Sequence, residues 1–349
     1  MTRPRPQTAI ANDVYETGMG YGILSAMRSI ETSIAIIALP CMACALSLTR
    51  VCDIERPSAP TSLSSLCFIS NGVYWSSTDW KPTLYELTLE MRDGAAPSGL
   101  AIKEKCKLQG ARDVEGIARD PLRGTVWAVD EEKRELCEYD PTTGRRLGKA
   151  AIPSVFDKCR KTYGLESLAI RPDGLEMWLA NEESLTCDGN VSNSEDGAMV
   201  RLALFTRKNG ADAWHHAGQW AYKCDKMDGS APLDSCRSGL ADICVLEDGT
   251  MLALEREYSF KPLPSLRCRI YAIDRSAATE VSSCDSLANV PAPFAPVVKT
   301  LLYGEGTGFA MFEGIAPGPV EKDGSRLMLL VSDGDKMMSK TIRVLRLAK

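Results

Sequence analysis

One pattern recurs four times along the chain and restricts its fold more than any other feature. It consists of an acidic residue, a short apolar run, a turn, a second apolar run and another acidic cluster. The copies start at DVEGIA, LESLAI, LADICV and FEGIAP, and their first acids are Glu115, Glu166, Asp242 and Glu313. A degenerate copy without the first acid covers residues 65–79. Repeats of this kind indicate an architecture in which each unit packs against the next.

The apolar runs have the length and composition of β-strands. Turn signals separate them, the clearest being RPDG (171–174), LEDG (246–249) and KDG (322–324). Further strand signals follow each hairpin, so one unit holds about four antiparallel strands. The pattern therefore predicts an all-β fold, a β-propeller of four-stranded blades. Five repeats are visible, and a sixth blade without the motif is the alternative.

Residues 27–45 have the shape of a secretory signal peptide. Arg28 precedes the apolar run IAIIALPCMACA, which ends in the small-residue form Ala43-Cys44-Ala45. A signal anchor is the alternative, although the run is short for a membrane span of about 20 residues. Residues 1–26 are then an N-terminal tail or a mis-assigned start. We therefore expect a secreted or periplasmic protein, with membrane anchoring as the second option.

The predicted propeller covers residues 64–349, and residues 46–63 form a linker before it. The last unit lacks an outermost strand after TIRVLRL (341–347). The segment LTRVCDIER (48–56) has strand character and can supply that strand. We therefore expect the N-terminal part of the linker to close the ring.

The chain contains 13 cysteines, of which 11 follow residue 45. Export makes disulfides expected. Candidate pairs that flank hairpins are Cys159 with Cys187 and Cys236 with Cys268, while Cys224 competes for Cys236. The sequence alone leaves the connectivity open.

Composition excludes several classes of function. The net charge of −5 and the absence of Lys/Arg clusters argue against a nucleic-acid partner. The only histidines are His215 and His216, which leaves little material for a zinc site or a histidine base. No G-x-S-x-G motif is present for a serine esterase. We expect a monomer that acts on a small anionic or ester substrate, with no membrane contact beyond the signal or anchor.

Hairpin geometry places the repeated acids at one end of the predicted channel, because the start of one strand and the end of its antiparallel partner lie at the same edge. Packed carboxylates repel one another unless a cation neutralises them. Calcium binds six to eight oxygen ligands, so we predict a calcium site. Its candidate ligands are Glu115, Asp130, Glu166, Asp242, Glu313 and Asp333. Neutralisation by arginine, with the acids serving only structure, is the alternative.

The segments DVEGIA, GLESLAIRPDG, GLADICVLEDGTMLALEREYSF and FEGIAPG resemble the phytase-like β-propeller family, whose members carry the description "esterase-like activity of phytase". The resemblance spans roughly residues 64–349. It implies an exported propeller related in architecture to calcium-dependent β-propeller phytases. The DDPA and NNVD signatures of those phytases are absent, which leaves the substrate open.

Three functions remain open at this point. The first is a calcium-dependent hydrolase of phosphate or carboxylate esters, in which Glu182 or Glu255 is the base and Arg256 holds an anionic group. The second is a non-catalytic exported binding module with structural calcium. The third is a lactonase-like hydrolase, which an apolar rather than a basic rim would favour.

Overall fold

The computed structural model describes residues 46–91, 96–228, 236–259, 264–291, 293–334 and 338–348. The predicted N-terminal tail and signal peptide, residues 1–45, lie outside this part of the chain. Within it, no helix is both long enough and apolar enough to cross a membrane.

The chain folds into five four-stranded antiparallel sheets, which are the blades of a propeller. Blade 1 comprises β2 (Cys67–Ser70), β3 (Val73–Ser77), β4 (Thr83–Leu89) and β5 (Leu100–Lys107). Blade 2 comprises β6 (Val114–Asp120), β7 (Thr125–Asp130), β8 (Glu135–Tyr139) and β9 (Arg146–Ala150). Blade 3 comprises β10 (Leu165–Ile170), β11 (Glu176–Asn181), β12 (Met199–Thr206) and β13 (His215–Lys223).

Blade 4 comprises β14 (Cys236–Val245), β15 (Met251–Ser259), β16 (Ser265–Asp274) and β17 (Val298–Gly306). Blade 5 comprises β18 (Met311–Val320), β19 (Arg326–Asp333), β20 (Thr341–Ala348) and, as its fourth strand, β1 (Ser47–Glu55). Two short 3₁₀ helices occupy the connections at Ser154–Lys158 and Leu287–Asn289.

The ring closes through hydrogen bonds between the two ends of the described chain. β1 pairs antiparallel with β20 from Ser47 opposite Ala348 to Glu55 opposite Thr341. Each of five apolar layers draws its side chains from two adjacent blades, and one of these layers joins blade 5 to blade 1. The fold prediction is therefore confirmed, with five blades rather than six in the part of the chain described.

Each innermost strand has a β-bulge near its start, and the bulge lies at an equivalent position in all five blades. In blade 2 the register shifts between Val114 and Gly116, so that Glu115 is the extra residue. Equivalent shifts occur in blades 3, 4 and 5. In blade 1 the pairs Leu63–Thr78 and Cys67–Trp75 also differ by one residue, which puts the shift between them. Because a bulge adds one unpaired residue, it determines which side chain lies at each level of the channel.

Neither expected disulfide is present in the structure. Cys236 lies on β14 and Cys268 on β16, with β15 between them. Two strand spacings amount to about 10 Å, whereas a disulfide requires Cα atoms within about 7 Å. Cys159 and Cys187 follow backbone positions that are hydrogen-bonded to each other, yet both are free thiols. These disulfides were expected because the sequence predicts export into an oxidising compartment.

Candidate functional site

Two rings of side chains lie at one end of the channel, which we call the acidic mouth. The inner ring is formed by the bulge residue of each innermost strand: Ser64, Glu115, Glu166, Ala241 and Glu313. The outer ring is formed by the equivalent residue near the end of each second strand: Asp79, Glu131, Glu182, Arg256 and Asp333. Seven of the ten positions are acidic and one is a guanidinium. The mouth is therefore rich in carboxyl groups.

Two of the predicted site residues, Asp130 and Glu255, each precede an outer-ring residue by one position. Successive side chains of a strand point to opposite faces, so a shift of one residue moves a side chain away from the mouth. Asp130 instead accepts hydrogen bonds from the backbone N–H groups of Arg112 (2.8 Å) and Lys133 (3.0 Å). The structure thus brings Glu131, and not Asp130, to the mouth.

Glu255 is fully buried and lies in a separate polar cluster between blades 3 and 4. Its Oε1 accepts from the Tyr222 hydroxyl at 2.6 Å and from Lys299 Nζ at 2.6 Å. Its Oε2 accepts from the backbone N–H of Asp225 at 2.9 Å. These donors leave the carboxylate no contact with the acidic mouth, so Glu255 is not a candidate for the catalytic base.

Asp242 lies one residue beyond the bulge, at the position that glycine occupies in blades 2 and 5. That position faces the neighbouring innermost strand: a Cβ on Gly116 would lie 2.4 Å from the carbonyl oxygen of Glu166. Asp242 accepts from the N–H groups of Ile243 and Ile315, both at 2.8 Å. Burial raises the pKa of Asp242 well above its usual range. It links blade 4 to blade 5 and does not belong to either ring.

Three carboxylates of blade 2, Asp113, Glu115 and Glu131, form what we call the carboxylate triad. One oxygen of each lies within 4.8 Å of the other two. Asp113 Oδ1 is buried without a hydrogen-bond partner, and Glu131 accepts from the backbone N–H of Gly164. Within the part of the chain described, no lysine or arginine forms an ion pair with these three residues. The triad therefore brings three carboxyl groups together without an ion-pair partner, and Arg256 acts on Glu131 only at longer range.

The triad carboxyls are correspondingly hard to ionise. Burial raises the pKa of Glu115 well above its usual range, and the neighbouring charges of Glu313 and Asp113 raise it further. Burial likewise raises the pKa of Glu131 to about 7, against the opposing effect of the Gly164 N–H. The pKa of Asp113 is also raised, by burial first. A cation at this position would favour the ionised forms.

The triad geometry fits a calcium ion. Calcium–oxygen distances are about 2.3–2.6 Å, so two ligand atoms on opposite sides of one ion are about 4.8 Å apart. The three carboxylates satisfy this spacing. Their hard oxygen donors are those that calcium prefers, and the remaining coordination positions would come from backbone carbonyls or water.

The other half of the acidic mouth contains its own cation. Arg256 Nη2 lies 2.6 Å from Glu182 Oε1, and its Nε lies 3.1 Å from Glu313 Oε1. Its guanidinium also lies over the rings of Tyr163 and Tyr258, whose hydroxyls are 2.9 Å apart. Burial opposes the charge of Arg256, but Glu182 and Glu313 outweigh this and raise its pKa. Arg256 thus joins blades 3, 4 and 5.

Burial still dominates the carboxyl groups around Arg256. It raises the pKa of Glu182 to about 7 and that of Glu313 to about 8, although Arg256 acts in the opposite direction on both. The pKa of Glu166 is raised well above its usual range by burial and by Glu182 and Glu115. Glu182 and Glu313 therefore titrate near neutral pH, the range in which a carboxyl group can both accept and release a proton.

The sequence-based reasoning missed three residues at the mouth: Asp79, Asp113 and Arg56. Asp79 follows its second strand at the same offset as Glu182, so an alignment that included the bulge would have found it. Asp113 has no counterpart in the other repeats. Arg56 is buried near Asp333, donates to the carbonyl of Ser332 at 2.9 Å, and has its pKa lowered by burial to about 10. No sequence pattern marks it as a partner of the mouth.

An open groove adjoins the carboxylate triad on the side of blade 1. It has a volume of about 710 Å³, and its lining includes Trp80, Tyr85 and Gln109. Trp80 is 77% exposed, forms a β-bridge with Asp113, and donates its N–H to Asp79 Oδ1 at 2.6 Å. Trp80 links the groove to the triad through its backbone bridge to Asp113, while none of the three triad residues lines the groove.

A family model for phytase-like proteins, described as "Esterase-like activity of phytase", matches residues 61–336. No curated protein matches the chain. Among solved structures, Myxococcus xanthus glutaminyl cyclase is 13% identical, with 87% of this chain and 98% of that chain covered and a TM-score of 0.39. The periplasmic gluconolactonase PpgL of Pseudomonas aeruginosa is 10% identical, with coverage of 79% and 70% and a TM-score of 0.32. A Dyadobacter fermentans protein of unknown function is 9% identical, with coverage of 86% and 99% and a TM-score of 0.40.

Proposed function

Because the chain belongs to the phytase-like family of β-propellers, we propose that it is an exported, calcium-dependent hydrolase of carboxylate esters. The observation that carries this proposal is the carboxylate triad, which combines calcium-compatible spacing with the lack of an ion-pair partner among the described residues. Calcium is available outside cells, in agreement with the signal peptide predicted from the sequence. Asp113, Glu115 and Glu131 would hold the ion.

A bound calcium ion polarises a substrate oxygen and lowers the pKa of a bound water. Glu182 is the candidate base, because its pKa of about 7 leaves much of it ionised at neutral pH. It lies close enough to Glu131 to raise the pKa of that carboxyl. The water oxygen attacks the ester carbonyl carbon as Glu182 accepts a water proton. The C–O bond to the alcohol then breaks, and the alcohol leaves with that proton.

The charge of the mouth favours carboxylate esters over phosphate esters. Arg256 already contacts Glu182 and Glu313, and Arg56 lies near Asp333. Both guanidinium groups are therefore already close to acidic side chains, and neither is available to bind a substrate phosphate. Repulsion from the remaining carboxylates would oppose a dianion more strongly than a neutral ester.

Turnover of three substrates with calcium or with EGTA tests this proposal: p-nitrophenyl acetate, p-nitrophenyl phosphate and a five-membered lactone. We expect calcium-dependent turnover that is fastest on the acetate and is lost in Glu115→Gln. The matched control is Glu132→Gln, because Glu132 is the neighbour of Glu131, is exposed and pairs with Arg112. Turnover that persists in EGTA would contradict the calcium requirement.

A non-catalytic binding module is the second candidate, and one contact favours it. The ion pairs of Arg256 connect three blades, which is a structural use of the mouth acids. In that case calcium would raise the melting temperature while no ester or lactone is turned over. A lactonase-like activity is the third candidate, because the exposed Trp80 gives the triad an apolar neighbour. This candidate predicts that the lactone is turned over faster than p-nitrophenyl acetate.

A further inference from the structure

The end of the channel opposite the acidic mouth contains an apolar cavity of about 200 Å³. Each innermost strand contributes to it the side chain two positions after its bulge: Leu66, Ile117, Leu168, Ile243 and Ile315. All five are buried, and each belongs to a different inter-blade layer. Aliphatic groups from every blade thus line the cavity, together with the charged side chains of Arg119, Arg171 and Glu247.

This cavity is separate from the acidic mouth. No residue of the inner or outer ring lines it. Between the two levels the innermost strands pack closely: a Cβ on Gly314 would lie 2.8 Å from the backbone nitrogen of Leu66. The Asp242 carboxylate also bonds to Ile315 N at this level. A ligand in the lower cavity therefore occupies a site distinct from the triad.

One guanidinium at the cavity has no acidic partner. Arg119 lines the cavity, is half-buried and donates to the carbonyl of Ile69 at 3.2 Å. Within the part of the chain described, Arg119 forms no ion pair and no other side-chain hydrogen bond. Its neighbour at the rim, Arg171, lies 3.3 Å from Asp173 and 3.2 Å from Glu176. The guanidinium of Arg119 thus lies beside an apolar cavity without direct contact to a carboxylate.

The other charged groups at the rim are paired with one another. Glu247 also lines the cavity, but Arg326 lies 2.7 Å from its carboxylate. These three arginines and three acids have no net charge, but Arg119 is the one among them that contacts no carboxylate. Arginine recognises carboxylates through two parallel N–H donors.

We propose that the lower cavity binds a small aliphatic monocarboxylate, with its chain among the five aliphatic side chains and its carboxylate on Arg119. A dry cavity of about 150 Å³ is known to accept benzene, so the present volume suits a chain of about six carbons. The aliphatic walls contribute affinity through apolar burial, and Arg119 distinguishes an acid from an alcohol of the same length. This site stands independently of the proposed hydrolase.

Calorimetric titration of the whole protein with hexanoate and with hexanol tests the proposal. We expect hexanoate to bind more tightly than hexanol. Arg119→Gln should lower the hexanoate affinity about tenfold, the effect of losing a charged hydrogen bond, and leave hexanol binding unchanged. Retained hexanol binding would show that the cavity of this variant is intact. Arg171→Gln is the matched control and should change neither affinity.

A second variant tests the cavity itself. Leu168→Phe adds volume to the wall and should abolish binding of both molecules while circular dichroism stays unchanged. Glu115→Gln, in the distant triad, should leave hexanoate binding intact, so that failure of the hydrolase proposal does not affect this one. The proposal is overturned if hexanoate does not bind to the wild-type protein, or if it binds with an affinity that Arg119→Gln and Leu168→Phe leave unchanged.

Discussion

Blades 2 and 4 present the same two backbone positions to the acidic mouth and place opposite charges there. Blade 2 has Glu115 on the inner ring and Glu131 on the outer ring, while blade 4 has Ala241 and Arg256. Both pairs follow from the same bulged hairpin. The repeat therefore sets the position of these side chains, and single substitutions within it set the chemistry.

The difference divides the mouth into two halves with different requirements. Around Arg256, the attraction of Glu182 and Glu313 compensates for the loss of hydration of the buried guanidinium. Around blade 2, three carboxylates lie together without such a partner. That half must either take up protons or bind an external cation. The four predictions below test this division.

The largest effect is expected from removal of the internal cation. Arg256→Met should lower the free energy of unfolding by about 3–5 kcal/mol, because buried charges of Glu182 and Glu313 lose their partner. Urea denaturation at pH 8 measures this loss. The control Arg112→Gln removes an exposed arginine that pairs with Glu132 and should cause no measurable change. Equal stability of the Arg256→Met variant and the wild type would show that Arg256 is not what stabilises its half.

The second prediction concerns pH in the absence of calcium. The pKa values of Glu182 and Glu313, about 7 and about 8, lie above the usual value of about 4.3. At pH values between about 4.3 and about 8, the folded protein binds more protons than the unfolded chain, so its stability falls as the pH rises. We expect a loss of about 2.5 kcal/mol between pH 5 and pH 6, from about 1.4 kcal/mol per proton and pH unit for each of the two carboxyls.

Burial determines the sign of this effect, and the groups that face these two carboxyls change its size. Arg256 favours their ionised forms, while Asp333 raises the pKa of Glu313 and Glu183 that of Glu182. Raised pKa values at Asp79 and Glu131, both about 7, act in the same direction. Urea denaturation across this pH range, with and without calcium, measures the slope. A stability that increases with pH would contradict the assignment of raised pKa values.

The third prediction is a change of opposite sign in the other half. Without calcium, Glu115→Gln should raise the free energy of unfolding by about 1–2 kcal/mol at neutral pH, because it removes a carboxyl group that must either take up a proton or hold an unpaired charge in the folded protein. The same variant should lose the calcium-dependent increase in melting temperature. Glu132→Gln again serves as the control. Destabilisation without calcium would mean that the triad is neutralised by a partner within the protein.

The sequence predicted the architecture because hairpins with turn signals and apolar runs report directly on strands. It also predicted that Glu115, Glu166, Glu182 and Glu313 belong to one mouth. It misplaced Asp130, Glu255 and Asp242 by a single position. Sequence spacing does not show a β-bulge, and in a strand one residue separates the two faces.

Groups that come together only in the folded ring were beyond reach of the repeat. Arg56 lies in the linker and meets Asp333 at the other end of the chain. Asp113 belongs to no repeated pattern and becomes part of the triad through the path of the chain before β6. Such contacts depend on closure of the ring, for which a single hairpin contains no signal.

The smallest effect is expected at Asp242, and it tests the alignment itself. Asp242→Asn keeps one acceptor for Ile315 N but turns an amide donor toward Ile243 N, which should cost about 1 kcal/mol. Calcium affinity should stay the same, because the bulge places Asp242 at the position equivalent to Gly116 and Gly314, outside both rings. Isothermal titration with calcium, with Glu115→Gln as the positive control, measures this. Loss of calcium binding in Asp242→Asn would make Asp242 a ligand and would restore the alignment expected from sequence spacing, in which Asp242 is equivalent to Glu115.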